Sequence, residues 1–546
     1  MSWRIQKQDL ERIPKSGPVL AVANHPFGLL EGVLLTTILP KIRGDFKIVT
    51  NSFLAGIPEL ERFCLFVDPF QSRENLAMNS RALRGAIRWL QSGGLVVIFP
   101  AGTVSHWSLR SRHITDPAWN QTAAVLLRKT RAPALPIFFA GGNSLSFQML
   151  GIVHPGLRTS ALPREFLKKE CGQIEVLIGR LAPYGQLAAL GDDAAVTRYL
   201  RWRTYLLANR CEAKPCVARG SLIRRKLAAR QPADALAREI NALGTEAELD
   251  RAGEYSVLLA QAPQIPSVLK EIGRLRELTF RGVGEGSGRK EDLDRFDHFY
   301  EHLFLWNHVR REIAGAYRLA CTEQILGRFG VNGLYTASLF RYDPRFFSEI
   351  GPAVELGRSF VAPEYQKHYA PLLMLWRGIG SYIARRPMHV VLFGAVSISN
   401  AYSPAARRLM AEYLEAQHIS RRFAGLVRPR RPFRPPPVRE WDRAAIRLWT
   451  HDFEELSRSI SEIEADGKGV PVLLRQYLKL GGEMLAFNLD RKFSDALDGL
   501  VLVDLRRTDP ALLARFMGPE AAGAFGRQHG GASCQTLKAA AEPLAG

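Results

Sequence analysis

The stretch Asn24-His25-Pro26-Phe27-Gly28-Leu29-Leu30-Glu31-Gly32 follows the apolar run Pro18-Val19-Leu20-Ala21-Val22-Ala23, and this junction decides how the first part of the chain reads. A short, unbroken apolar run that ends in polar residues and glycine is the pattern of a strand buried on both faces. A histidine at the end of such a strand, with a carboxylate six positions on, forms a general base with an orienting partner. Imidazole titrates near neutrality, and a carboxylate holds the ring and stabilises the imidazolium. Working outward, a second buried run, Leu95-Val96-Val97-Ile98-Phe99, ends in Pro100-Ala101-Gly102-Thr103-Val104-Ser105. Further strands are expected at 46–50, 65–67, 134–139 and 174–178. Leu76, Leu83, Ile87 and Leu90 lie at helical spacing between the third and fourth strands. Strands alternating with helices make residues 1–210 an α/β domain.

The two junctions together resemble the glycerolipid acyltransferase superfamily, whose signatures are N-H-x-x-x-x-D and F-P-E-G-T-R-S. The resemblance implies transfer of a fatty acyl group from a thioester to a hydroxyl, with His25 as base and Glu31 as its acid. It places Asn24, Gly28, Gly102, Thr103 and Ser105 at the substrate or the oxyanion. Two departures carry information. The family's acid stands five positions after the histidine, where this chain has Leu30, so a role for Glu31 requires a turn one residue longer. The Glu and Arg of the second signature are Ala101 and Val104 here. In glycerol-phosphate acyltransferases those positions help to bind the acceptor phosphate, so their loss implies an acceptor without phosphate. Pro136 matches a weaker motif of the same superfamily. Residues 154–158 and Leu162-Pro163-Arg164-Glu165 are candidates for lining the acceptor pocket.

At 546 residues the chain is too long for one core. Its net charge of +21 favours polyanionic partners, an acidic carrier protein or an anionic membrane face. Aromatic platforms and a helix-turn-helix are missing from the pattern, which argues against nucleic acid. The six cysteines lack metal-ligand spacing and read as free thiols in a reducing compartment, and no metal site is expected. Residues 1–7 lack the apolar core of a leader, and no window reaches the roughly eighteen apolar residues of a membrane span. The expected location is cytoplasmic, peripheral on the inner face of the membrane.

Residues 211–250 are Ala/Arg-rich and read as a helical connector. A second α/β domain is expected over 251–507, with a tail from 508 to 546. Within it, 302–306 and 313–319 flank the polar tip Arg310-Arg311-Glu312 as a hairpin. Five motifs follow in order: Glu271–Glu277, Asp292-x-Asp294-x-x-Asp297, Glu312–Leu319, Glu355-Leu356-Gly357-Arg358-Ser359-Phe360-Val361 and Leu392–Ser399. They resemble the GNAT-like N-acyltransferases that make lyso-ornithine lipid, and more distantly the acyl-homoserine lactone synthases. Such families place a 3-hydroxyacyl chain from acyl carrier protein on an amino group. The resemblance implies that Asp292, Asp294 and Asp297 hold an ammonium group, with Asp294 and Glu355 catalytic and Arg358 and Ser397 binding substrate. On a regular strand Glu355 and Arg358, three apart, face opposite sides unless a bulge intervenes. Arg377-Gly378-Ile379-Gly380 resembles part of the GNAT phosphate-cradling loop, with a helix contact through small residues as the alternative. Gly284-Glu285-Gly286-Ser287-Gly288 lacks the Lys-Ser/Thr of a P-loop and reads as a flexible lid. Residues 421–439 hold seven Arg and five Pro and no acid, an extended exposed loop. After Trp441 the chain regains helical and apolar character.

The whole chain resembles the bifunctional ornithine lipid synthases. That resemblance implies N-acylation of an amino acid, expected to be ornithine, with a 3-hydroxyacyl chain, then O-acylation of the chain's hydroxyl. The co-substrate would be acyl carrier protein bearing a phosphopantetheine thioester, or acyl-CoA, with no tightly bound cofactor. The alternatives are the same chemistry on glycine, serine, glutamine or lysine, or a lysophospholipid acyltransferase fused to a non-catalytic domain that docks carrier protein.

Overall fold

Continuous apolar runs form the first sheet because both of its faces are covered by helices. In this computed structural model the described residues are 2–68, 73–108, 113–153, 161, 162, 164, 165, 173–212, 225–438, 440–443, 446 and 453–529. They fall into two compact units. The first is Met1–Lys214 with Pro404–Leu409 and Pro436–Gly469; the second is Pro215–Ser403 with Met410–Pro435 and Val470–Gly546.

The strands of the first unit are β1 (Ser2–Arg4), β2 (Val19–Ala23), β3 (Phe46–Asn51), β4 (Cys64–Val67), β5 (Leu95–Ile98), β6 (His106–Ser108), β7 (His113–Thr115), β8 (Ala134–Phe139) and β9 (Gln173–Ile178). Seven of them make one sheet in the order β1-β9-β8-β2-β5-β3-β4, and β6 and β7 pair as a separate ribbon. Every pairing in the large sheet is parallel except β8 with β9. Because β2 and β5 are parallel neighbours, the loops that leave their carboxyl ends meet, and these loops carry the two sequence signatures. The chain continues from β2 toward β3 on one side and returns to β8 on the other, so these loops stand at the crevice that such a reversal of strand order creates.

The second domain was expected to be contiguous over 251–507. Instead, residues 436–469 belong to the first unit. Helix Phe453–Ile463 buries Leu456, Ile460 and Ile463 there. Its Glu455 and Glu462 meet Arg203 at 3.0 and 2.7 Å. The Glu462 carbonyl accepts from Arg210, whose guanidinium also holds the buried Asp9 at 2.7 Å. Two carboxylates on an amphipathic helix do not reveal in sequence which arginines will pair with them.

The second unit contains β10 (Glu248–Ala252), β11 (Tyr255–Gln261), β12 (Glu301–Asn307), β13 (Glu312–Cys321), β14 (Phe340–Tyr342), β15 (Ala353–Val361), β16 (Val391–Ile398), β17 (Val427–Pro429), β18 (Glu483–Asp490) and β19 (Ala496–Asp504). Eight strands form a sheet in the order β10-β11-β12-β13-β15-β16-β19-β18, and the expected hairpin is β12–β13. The pairing is antiparallel throughout except between β15 and β16. Helix Ala370–Ala384 lies between these two in sequence, the crossover that a parallel pair demands. They pair only at Ala353–Glu355 with Val391–Phe393. Beyond that point β15 runs on against β13 and β16 against β19, and no pairing joins the two, which leaves a gap in the ladder between their facing edges. β18 and β19 correct the helical reading of the chain after Trp441. Leu500-Val501-Leu502-Val503 is a strand run buried on both sides. No described helix is long and apolar enough to cross a membrane.

Candidate functional site

The turn after β2 positions His25. Its Nδ1 lies 3.5 Å from Glu31 Oε1, and the Glu31 side chain is fully buried in the first turn of helix Leu30–Ile38. The same oxygen accepts the backbone N–H groups of Phe27 (2.6 Å) and Gly28 (3.3 Å). The six-residue spacing therefore brings acid and base together, with the added residue absorbed by the turn. Gly28 makes that turn possible. Its φ is +95°, and a Cβ there would stand 2.8 Å from Leu162 and 2.9 Å from Val104.

A residue not singled out in the sequence completes the support. Asp116 Oδ1 accepts the backbone N–H of His25 at 3.1 Å and the Ser105 hydroxyl at 2.5 Å, and Oδ2 accepts the Trp119 indole N–H at 2.8 Å. Burial pushes the Asp116 carboxyl above the usual carboxylate range, against the pull of Ser105 and Trp119. Burial alone would lower the His25 pKa, but the charge and hydrogen bond of Glu31, with Asp116 behind them, raise it above the ordinary histidine value. The ring rests on Phe99, with centroids 4.6 Å apart, and its side chain keeps 16% exposure. The result is a partly open imidazole flanked by two buried carboxylates, able to take a proton from an incoming hydroxyl. Only Thr115-Asp116-Pro117, an acid beside a proline, marked this position in the sequence.

Several expected roles change. Asn24 was expected at the substrate, yet its amide donates to the Phe139 carbonyl (3.0 Å) and accepts the Phe139 N–H (2.7 Å), which stitches the end of β2 to β8. Ser105 was expected at the oxyanion, but its N–H donates to the His25 carbonyl (2.8 Å) and its hydroxyl to Asp116, so it anchors the histidine turn. Gly102, with φ +67°, and Thr103 remain exposed on the neighbouring loop. Val104 fills the space against Gly28. Glu165 accepts from the Ser144 N–H and hydroxyl and is a loop brace. Residues 154–158 and Pro163 lie outside the described residues. Of the cysteines, Cys64 and Cys321 are buried free thiols.

In the second unit the acidic cluster is matched by arginines. Asp297 meets Arg276 at 2.7 Å and Arg318 at 3.1 Å. Asp294 meets Arg318 at 2.7 Å and Arg358 at 3.5 Å, and Asp292 meets Arg358 at 3.1 Å. Asp294 and Asp297 also form a reciprocal cap on the turn Arg295–His298. Each of Asp292, Asp294 and Asp297, expected to hold an ammonium group, thus has a guanidinium partner in this structure. Burial opposes ionisation of Asp297, but Arg276 and Arg318 outweigh it and hold the carboxyl far below its usual range. Burial and then Arg276 push the neighbouring His302 down to about 4. Glu355, expected to be catalytic, accepts from the Tyr300 hydroxyl and from the N–H groups of Tyr335 (3.1 Å) and Thr336 (2.7 Å), so its oxygens are engaged in holding that loop.

A bulge does intervene in β15. Gly357 pairs with Arg318 but Phe360 with Ala316, one extra residue on β15, and Arg358 adopts φ +51°. Glu355 and Arg358 thereby both reach Tyr335, whose hydroxyl accepts from Arg358 at 3.1 Å. The guanidinium stacks 4.2 Å from the Phe493 ring. Ser397, beyond the point where β16 leaves β15, donates to Asp498 at 2.7 Å. Arg377, Gly378 and Gly380 do not form a phosphate loop. They lie inside helix Ala370–Ala384, where Arg377 pairs with Asp250 at 2.8 Å. Side chains at Gly378 and Gly380 would run into Val257 and the Phe516 carbonyl, so both are close-packing positions. The expected lid Gly284–Gly288 is fastened, because Ser287 and Gly288 donate to the buried Glu277 at 2.7–3.0 Å.

Comparison with known proteins finds a family for a stretch of each unit. The family described as Acyltransferase matches residues 4–139, and the acetyltransferase (GNAT) domain family matches residues 275–377. A glycine N(alpha)-acyltransferase of Bacteroides thetaiotaomicron is 33% identical over 253 residues, covering 44% of this chain and 74% of the relative. One from Phocaeicola vulgatus is 30% identical, covering 44% and 76%. A lyso-glycine lipid O-acyltransferase of Phocaeicola vulgatus is 26% identical over 190 residues, covering 33% of this chain and 65% of the relative. With the histidine–carboxylate turn in one unit and the interrupted parallel pair in the other, the chain is an acyltransferase that belongs to the family of the glycine N(alpha)-acyltransferases and carries a unit matched by the Acyltransferase family ahead of its GNAT unit.

Proposed function

We propose that the protein makes a diacylated aminolipid in two steps. The GNAT unit transfers a 3-hydroxyacyl chain from the thioester of acyl carrier protein to the α-amine of an amino acid. The thioester carbon gains nitrogen and loses the pantetheine thiol. The first unit then acylates the 3-hydroxyl of the attached chain: His25 takes the hydroxyl proton, the oxygen attacks a second thioester, and the thiol leaves with a proton. Glu31 holds the ring and offsets the charge of the imidazolium. Ala101 and Val104, in place of a charged pair, suit an acceptor without phosphate. The gap between β15 and β16 suits the extended amide chain of pantetheine, whose groups can pair with the free strand edges.

We propose glycine as the amino acid in place of ornithine. The similarity to the glycine N(alpha)-acyltransferases carries this reading. The Asp292–Asp294–Asp297 cluster agrees with it, because these three carboxylates, the candidates for a second ammonium group, are already paired with Arg276, Arg318 and Arg358. The test is purified enzyme with 3-hydroxyacyl carrier protein and a panel of amino acids. Glycine amide should form at least ten times faster than ornithine amide, and the reverse order contradicts the assignment.

A further inference from the structure

The arginine-rich stretch is built into the second unit. β17 pairs antiparallel with β14, with Arg428 directly opposite Arg341. The chain then fastens to β18: Arg431 N–H donates to the Asn488 side chain (2.8 Å), and the Leu489 N–H donates to the Arg431 carbonyl (2.9 Å). Arg341, Arg428, Arg431 and Arg434 are all exposed, and none has a carboxylate at ion-pair distance among the described residues; the acid that Arg428 acts on, Asp343, is already paired with Arg345. Like charges placed directly across a strand pair destabilise it, so this ribbon holds an unfavourable arrangement that an anionic surface would relieve.

Its position matters as much as its charge. Asn488 pairs with Asp498, which pairs with Ser397 on β16, four residues past the last β15 contact. Arg431 is therefore three strand spacings, roughly 14 Å, from the open edge of the gap. Among the described residues of 421–438 no large apolar side chain is exposed; Phe423 and Val427 are buried. A segment that enters a bilayer carries exposed apolar anchors beside its basic residues; here Leu426, Phe433 and Val438 are half-buried.

We infer that the ribbon of Arg341, Arg428, Arg431 and Arg434 docks an acidic protein that carries the acyl thioester and directs its pantetheine arm into the β15–β16 gap. This rests on the reading above that the amide-forming donor is protein-bound. Electrostatic docking of this kind acts on encounter and is weakened by salt.

The experiment compares wild type with the exposed triple variant Arg428→Glu/Arg431→Glu/Arg434→Glu, using 3-hydroxyacyl carrier protein and the matching acyl-CoA, across ionic strengths. The variant should raise KM for the carrier thioester at least tenfold and flatten its salt dependence. Its kcat, melting temperature and rate with acyl-CoA should stay as in wild type. An unchanged carrier KM overturns the docking surface while leaving the donor assignment intact. Equal losses with both donors assign the arginines to the fold and also overturn it. Loss of binding to vesicles of anionic phospholipid with an unchanged carrier KM makes the ribbon a membrane contact. A wild-type enzyme that uses acyl-CoA but refuses the carrier thioester overturns the donor reading itself.

Discussion

At the scale of single residues, the proposed O-acylating centre is an imidazole whose pKa is raised by the buried Glu31 and, to a smaller extent, by Asp116. A general base must be neutral to act, and Glu31 with Asp116 raises the His25 pKa, so the acid limb of O-acylation lies at higher pH than an isolated histidine would give. Glu31→Gln removes that support. The rate should fall, and the acid limb of kcat/KM should move to lower pH; an unmoved limb means Glu31 does not act on the ring. The Asp294→Asn variant separates two readings of the acidic cluster. With Asp294 in the scaffold, folded variant should still form amide with an unchanged KM for the amine. Asp297→Asn, which leaves the fully buried Arg276 and Arg318 short of a charge, should cost about 3–5 kcal/mol in a denaturant titration. A raised amine KM in Asp294→Asn at unchanged stability would restore the ammonium site. The His25–Glu31 pair was legible because motif and spacing are local. Asp116 was not, because its partners His25 and Ser105 lie 91 and 11 residues away. The three arginines that pair with the aspartates come from three other elements, helix Pro266–Gly282, β13 and β15, so the pairing has no local mark in the sequence.

At the scale of elements, the histidine turn depends on a segment far along the chain. Glu440, in a left-handed conformation with φ +47°, accepts from Thr115 (2.5 Å) and Arg201 (3.0 Å). Arg201 in turn donates to the Asp116 carbonyl at 2.8 Å. Helix Phe453–Ile463 closes the same unit through Glu455 and Glu462. Glu462→Ala removes the nearer of the two carboxylates on Arg203 and leaves Glu455 as its partner, so it should cost about 1.5–3 kcal/mol, seen as a lower melting temperature; an unchanged one would mean the ion pair does not hold the helix. Gly28→Ala should cost about 1–2 kcal/mol from its backbone conformation alone, more where the new methyl meets Leu162 and Val104, and O-acylation should drop with it. Six strands of the first sheet (β2, β3, β4, β5, β8 and β9) were legible nearly to the residue, because short apolar runs bounded by polar turns mark them, whereas β1 carries no such run. β18 and β19 were not, since Leu-rich runs such as 484–489 suit either a buried helix or a strand until their partners are known. Arg377–Gly380 misled for a related reason: glycines that admit a neighbouring chain inside a helix look like glycines that cradle a phosphate.

For the whole molecule, the sequence order of two acyltransferase signatures is the order of two folded units, but the chain returns to the first after building most of the second. Cutting between 212 and 250 should therefore yield an N-terminal fragment without Glu440, Glu455 and Glu462, unable to hold His25 in place. The most direct test of the two-step account is lipid analysis by mass spectrometry of a host without aminolipids, expressing either the wild-type chain or His25→Ala. Wild type should yield a phosphorus-free amino acid lipid with one amide-linked 3-hydroxyacyl chain and one ester-linked chain. His25→Ala should accumulate the monoacyl amide, with the ester reduced by about 10²–10⁴-fold. Loss of the amide as well as the ester in a folded His25→Ala protein, or an undiminished diacyl product, would contradict the account.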